Sequence, residues 1–141
     1  PLKKRGRRDA LRGGRALRER DLVPDLILSS TAQRARATAK RAARALKCGK
    51  RLILSPLLYF EGVDSQMTVL RKLRSRYQRV LLVGHNPDSE HLVLLLTNQV
   101  ISLPTAGVAC VDLNIDHWAE LTLNSGQIRF LLTPKALEAT E

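Results

Sequence analysis

Hydrophobic positions along this chain fall into short unbroken runs separated by stretches with helical spacing. "DLILSS" (25–30) carries the continuous apolar pattern of a strand covered on both faces of a sheet, "RLILS" (51–55) is a second short strand candidate, and "RVLLVG" (79–84) is the clearest buried strand. Between them the spacing changes to threes and fours. Ala10, Leu11, Gly14, Leu17 and Leu22 mark a helix running up to Pro24, in which Gly13 and Gly14 each cost ~1 kcal/mol relative to alanine. Ala32, Ala35, Ala39, Ala42 and Leu46 form one narrow stripe of a second helix, with Ser30 and Gln33 in the positions of a capping box. Met67, Leu70 and Leu73 predict a third helix capped by Asp64 or Ser65, and a fourth spans about Asp88 to Thr97, with Pro87 at its start. From Gly107 onward "GVACVDLNI", "AELTLN" and "QIRFLL", with Ser125-Gly126 as a turn, read as a hairpin or meander.

Alternation of strand and helix through the first two thirds predicts an α/β fold: a three-layer sandwich with a largely parallel central sheet, helices on both faces and an antiparallel C-terminal hairpin. A chain of 141 residues, 44% hydrophobic, suits one domain over residues 1–141. No apolar run approaches the ~18 residues of a membrane span, and no signal-peptide pattern is present. Cys48 and Cys110 stand apart with no metal-ligand spacing, which points to no metal site, no disulfide framework and a reducing cytoplasm. The formal charge of +11 suggests a polyanionic partner. Its distribution tempers that, because residues 1–51 carry 17 Lys and Arg against 4 Asp and Glu, whereas residues 52–141 carry 7 against 9.

In sheets of this kind ligands gather beyond the carboxyl ends of the strands. Two segments lie there, "LILSSTAQRARAT" and "LLVGHNP". In the first, Ser30 opens a helix whose free N–H groups and positive dipole end suit an anion, and Arg34, with Thr38 a turn further on, adds donors matched to phosphate oxygens. The same residues also describe an ordinary capped helix with a solvated arginine. In the second, Gly84 allows close backbone approach, and His85 projects at the strand end, able to donate to a phosphoryl oxygen, exchange a proton or attack. A strand-end histidine is also a common structural hydrogen-bonding group. His91, inside a helix, and His117, beside Trp118 at a strand start, read as structural or surface groups.

"SSTAQRARATA" and "LLVGHNP", together with "PLKKRG", "LPTAGVACVDL", "WAEL" and "FLLTP", resemble the histidine phosphatase superfamily, with its phosphoglycerate mutase-like fold, and within it the small SixA-type phosphohistidine phosphatase branch. The resemblance covers nearly the whole chain. It implies a hydrolase that moves a phosphoryl group onto a first histidine, in an Arg-His-Gly motif, and then to water, with no metal and no cofactor. Arg34 matches the phosphate-gripping arginine and His85 the second histidine. Ser30 and Asn86 fall beside them as phosphate-binding candidates, although Asn86 is equally placed to cap the following helix. Glu61 is the nearest candidate for a proton donor. The implied partner is a phosphorylated protein or a small phospho-compound.

No Arg-His-Gly triplet occurs in the 141 residues. The family places it just before the "PL…G" stretch, so the resemblance implies an N-terminally truncated domain that lacks its first central strand and its nucleophile and is inactive as it stands. Two other readings compete. The basic cluster over residues 3–20 and the charged helix through Lys47 suit a nucleic-acid-binding module, against which stand 4% aromatics and no recognised RNA- or DNA-binding signature. A phosphate-sensing pseudoenzyme would retain Arg34 and His85 without a nucleophile.

Overall fold

The structure, a computed structural model, describes residues 2–140; Pro1, at the head of "PLKKRG", and Glu141 lie outside the described residues. β1 (Leu26–Ser30) is buried at all five positions. Its side chains alternate between two cores, which is why Leu26, Ile27 and Leu28 follow one another without a polar residue. Leu26 and Leu28 pack with Leu58, Met67, Leu70 and Leu96. Ile27 packs on the other face with Ala39, Ala43 and Leu46. Ile27 is fully buried, and burial of such a side chain contributes about 1.5–3 kcal/mol.

β2 (Leu52–Ser55) and β3 (Val80–Val83) pair with β1 in parallel, one on each side, giving the order β2-β1-β3. Parallel neighbours require crossovers. α2 (Gln33–Leu46) makes the first and α3 (Val63–Arg71) the second. α1 (Lys4–Glu19) lies against α2, and the two helices meet so closely that a Cβ on Gly14 would sit 2.8 Å from the Ala42 carbonyl oxygen. Glycine there serves close packing. α4 (Asp88–Thr97) joins α3 on the opposite face. β4 (Val108–Leu113) and β5 (Gly126–Leu132) form a separate antiparallel pair, followed by α5 (Pro134–Ala139). The architecture is the α/β fold expected, with a parallel sheet between helices and a C-terminal hairpin.

Among the described residues β3 has no strand on its side away from β1, and β4 has none away from β5. A cavity of about 1480 Å³ runs along both free edges, lined by residues 79–86 and 103–113 together with parts of α1, α2 and α4.

Local details depart from the sequence reading. α1 ends at Glu19 and does not reach Pro24, because Asp21 adopts a left-handed φ of 57° and turns the chain. Ser30 ends β1 and forms no capping box: the cap position of α2 is Ala32, with no side-chain cap. Gly62, and neither Asp64 nor Ser65, precedes α3. "AELTLN" makes no strand; residues 118–120 form a single 3-10 turn, pinned by the Glu120 carboxylate accepting the N–H groups of Asp116 and His117, and Leu121 is buried without sheet pairing. His117 therefore caps a turn where a strand start was expected. α5 was not anticipated, although Thr133, whose hydroxyl accepts the Ala136 N–H, followed by Pro134 is a helix-start signal.

Candidate active site

Parallel pairing of β1 with β3 brings Ser30 and His85 to the same end of the sheet. Ser30 is fully buried, and its Oγ lies 2.8 Å from His85 Nε2 while accepting the Ala32 N–H at 3.1 Å. One hydroxyl thus ties the end of β1, the entry to α2 and the imidazole together. Gly84 lets the chain reach this point against a crowded neighbour, since a Cβ there would stand 3.2 Å from Gln66 Nε2. Gln66 is itself buried, and neither of its amide atoms has a partner.

The start of α2 is open. Its first turn holds no acidic residue and its N-terminus has no side-chain cap. The N–H groups of Gln33, Arg34 and Ala35 have no hydrogen-bond partner among the described residues, as expected for the first turn of an uncapped helix. Arg34 is exposed and makes no ion pair among those residues. It lines the cavity together with Thr38, Phe60, His85, Asn86 and Ser89. Folding therefore brings Arg34 and His85, fifty-one positions apart in sequence, to one cavity.

Burial pushes the His85 pKa below the usual histidine value, with Asp88 partly opposing the shift. The neutral imidazole then offers one donor and one acceptor nitrogen. Phe60 stacks on it with ring centroids 4.1 Å apart and an interplanar angle of 20°, and the Tyr59 ring stands 5.6 Å away. Asp88 is buried at the start of α4, where its Oδ2 accepts the Gly62 N–H at 3.0 Å and fixes the loop carrying both aromatics. Glu90 occupies the same first turn and accepts the Leu103 N–H.

The remaining expected residues are placed less centrally. Asn86 lines the cavity, but its Nδ2 donates to the Leu103 carbonyl at 2.6 Å, and Pro87, not Asn86, is the cap position of α4. Glu61 is exposed and does not line the cavity. His91 is exposed on α4, and His117 bonds Ser75 beyond the amino end of β3. Both cysteines are free thiols whose pKa burial raises. Tyr59, Phe60, Gln66 and Asp88 were not singled out from sequence. "YFEG" ahead of a helix was the available signal, in a chain with only two Tyr and two Phe.

Arg34, in the first turn of a helix without a side-chain cap, and His85 line one cavity, and groups of these kinds suit a tetrahedral oxyanion. The family model described as histidine phosphatase superfamily (branch 1) matches residues 1–58. No curated protein matches the chain in sequence. Solved structures do match. A protein histidine phosphatase SixA complexed with tungstate aligns at a TM-score of 0.83 and 20% identity, over 97% of this chain and 86% of that one. A protein from Agrobacterium tumefaciens described as a phosphohistidine phosphatase SixA aligns at 0.79 and 26%, over 95% and 83%. A third, so described from Nakamurella multipartitia, aligns at 0.80 and 20%, over 95% and 84%. Matched segment, shared topology and motifs together make the chain similar to the histidine phosphatase superfamily, and its fold is that of the SixA structures.

Proposed function

We propose that this chain carries the phosphate-gripping half of a SixA-like phosphohistidine phosphatase site. Arg34 and the free N–H groups of α2 hold two phosphoryl oxygens, and His85, oriented by Ser30, holds a third as charge redistributes. Convergence of Arg34 and His85 on one cavity at the strand ends carries this reading. The tungstate bound by one structural neighbour supports it, because tungstate is a tetrahedral oxyanion like phosphate. In the reaction proposed, a histidine nitrogen takes the phosphoryl group from a phosphohistidine on a protein, the leaving imidazole regains a proton, and water then cleaves the enzyme's phosphorus–nitrogen bond.

The attacking histidine is not assigned within these residues. His91 does not line the cavity, His117 lines it but sits with Ser75 beyond the opposite end of β3, and no Arg-His-Gly triplet occurs. The polypeptide therefore binds the phosphoryl group without turning it over, and the free edges of β3 and β4 mark where a further strand would complete the sheet. A proton donor is not assigned to Glu61. Basic residues concentrated in 1–51 favour an acidic or phosphorylated protein partner in a cytoplasmic setting; no helix among the described residues is long and apolar enough to cross a membrane.

Calorimetric titration with tungstate tests the reading. Arg34→Ala should weaken binding about 10- to 100-fold, the worth of a charge-assisted fork of hydrogen bonds. Unchanged affinity would remove Arg34 from the site. Incubation with a phosphohistidine-bearing protein should leave this polypeptide unlabelled, and an acid-labile phosphoenzyme would show that it holds its own nucleophile.

A further inference from the structure

Tyr59 and Phe60 expose 49% and 58% of their surface, and Phe60 lines the cavity that holds Arg34 and His85. Among the described residues, five of the nine exposed large hydrophobic residues fall between Ile53 and Phe60. The loop is anchored on both sides of the rings, by buried Leu58 before them and by the Gly62 N–H on Asp88 after them. Phe60 is held at a φ of 53°, a left-handed conformation that a bulky residue adopts only when its surroundings impose it. That conformation brings one face of the ring onto His85 and leaves most of the rest in solvent. Tyr59 stands at a ring-centroid distance of 5.6 Å, tilted by 51°, so the pair forms a shallow angled shelf.

Resting on the phosphate-site reading above, we infer that Phe60 and Tyr59 determine specificity: they stack the planar, unsaturated group bonded to the phosphoryl group and so favour ring-bearing phospho-compounds over aliphatic ones. Three observations converge on this. Phe60 lines the same cavity as Arg34 and His85 and lies against the His85 ring, so a planar group attached to an oxyanion held by His85 has its ring within reach. Its contact with His85 fixes the shelf at the distance of one ring from the anion site. Open ring surface in water beside a cationic pocket gains most from a planar apolar group carrying a negative charge, since offset stacking adds to the area buried.

Two small anions separate this inference from the reading it rests on. Phenylphosphonate and methylphosphonate carry the same charged head, and in alkaline buffer both are dianions. Titrations followed by NMR should show phenylphosphonate binding about tenfold more tightly, the effect of one good ring contact. Phe60→Ala should collapse the ratio to below about twofold and Phe60→Trp should keep it, with Tyr59→Ala giving an intermediate ratio. Equal affinities in the unaltered chain, or a ratio that survives Phe60→Ala, would overturn the shelf while leaving the anion site standing. If neither phosphonate shifts the Arg34 and His85 signals, the anion site itself fails. Phenylphosphonate that shifts Phe60 without Arg34 would overturn the shelf as part of this site, leaving only an apolar patch.

Discussion

Two helices begin near the same strand ends, and they begin in opposite electrostatic states. α4 opens with Asp88 and Glu90, whose carboxylates occupy its positive end and accept the N–H groups of Gly62 and Leu103. α2 opens with no acid and with an arginine in its first turn, and neither helix has a side-chain cap. Helix dipoles give both termini the same bias toward negative charge. α4 answers that bias with two carboxylates in its first turn, which also fix two loops. α2 leaves it unsatisfied. The contrast points to a candidate anion site better than charge counting does, because the basic excess of residues 1–51 is spread over two helices, whereas Arg34 near the start of α2 and His85 line one cavity.

The largest effect on that contrast is expected from Ser30→Ala. The substitution leaves the Ala32 N–H and His85 Nε2 without their shared partner in a buried setting, and should lower stability by about 1–3 kcal/mol, read as a fall in the midpoint of urea unfolding at constant slope. A shift below about 0.5 kcal/mol would mean that the hydroxyl is not a structural link between β1 and the imidazole. Gln33→Glu should make α2 resemble α4. A carboxylate in the first turn stabilises the helix by about 0.3–1 kcal/mol while repelling the ligand, so tungstate affinity should fall several-fold as thermal stability rises slightly. If affinity and stability moved in the same direction, the dipole argument would be wrong.

The smallest effect is pH dependence. The folded pKa of His85 lies below its unfolded value because burial disfavours the imidazolium. Its contribution to stability is therefore complete above the unfolded value, about 6.5, and is lost as pH falls toward the folded pKa, where the unfolded chain binds the extra proton. His85→Gln should flatten the stability profile in that window. Bound oxyanion should reverse the shift, raising the His85 pKa in an NMR titration. A pKa indifferent to tungstate would separate the imidazole from the ligand.

Much of this was legible before the structure. The unbroken apolar runs identified β1, β2 and β3, although only β1 is buried throughout and β2 exposes Ile53 and Leu54, and α4 has the bounds that its start and spacing predict. Arg34 and His85 were identifiable from their positions at strand ends and helix starts. Ser30 was misread because a serine ahead of a helix looks locally like a cap, whereas its actual partner lies fifty-five residues away. "AELTLN" carried a strand-like alternation that the Glu120 turn overrode. The aromatic shelf was invisible for a related reason: neither the exposure of Phe60 nor its left-handed backbone is written in local sequence, and both depend on Asp88 pinning the loop from another element.

The central claim is that one oxyanion is held jointly by Arg34, the start of α2 and His85. Crystals of the chain soaked in tungstate would locate the metal by its anomalous signal. The account predicts a single strong peak with oxygens within hydrogen-bonding distance of the Arg34 guanidinium, the N–H groups at the start of α2 and the His85 ring. A peak at the start of α4 or on the basic surface of α1, with Arg34 and His85 untouched, would contradict it.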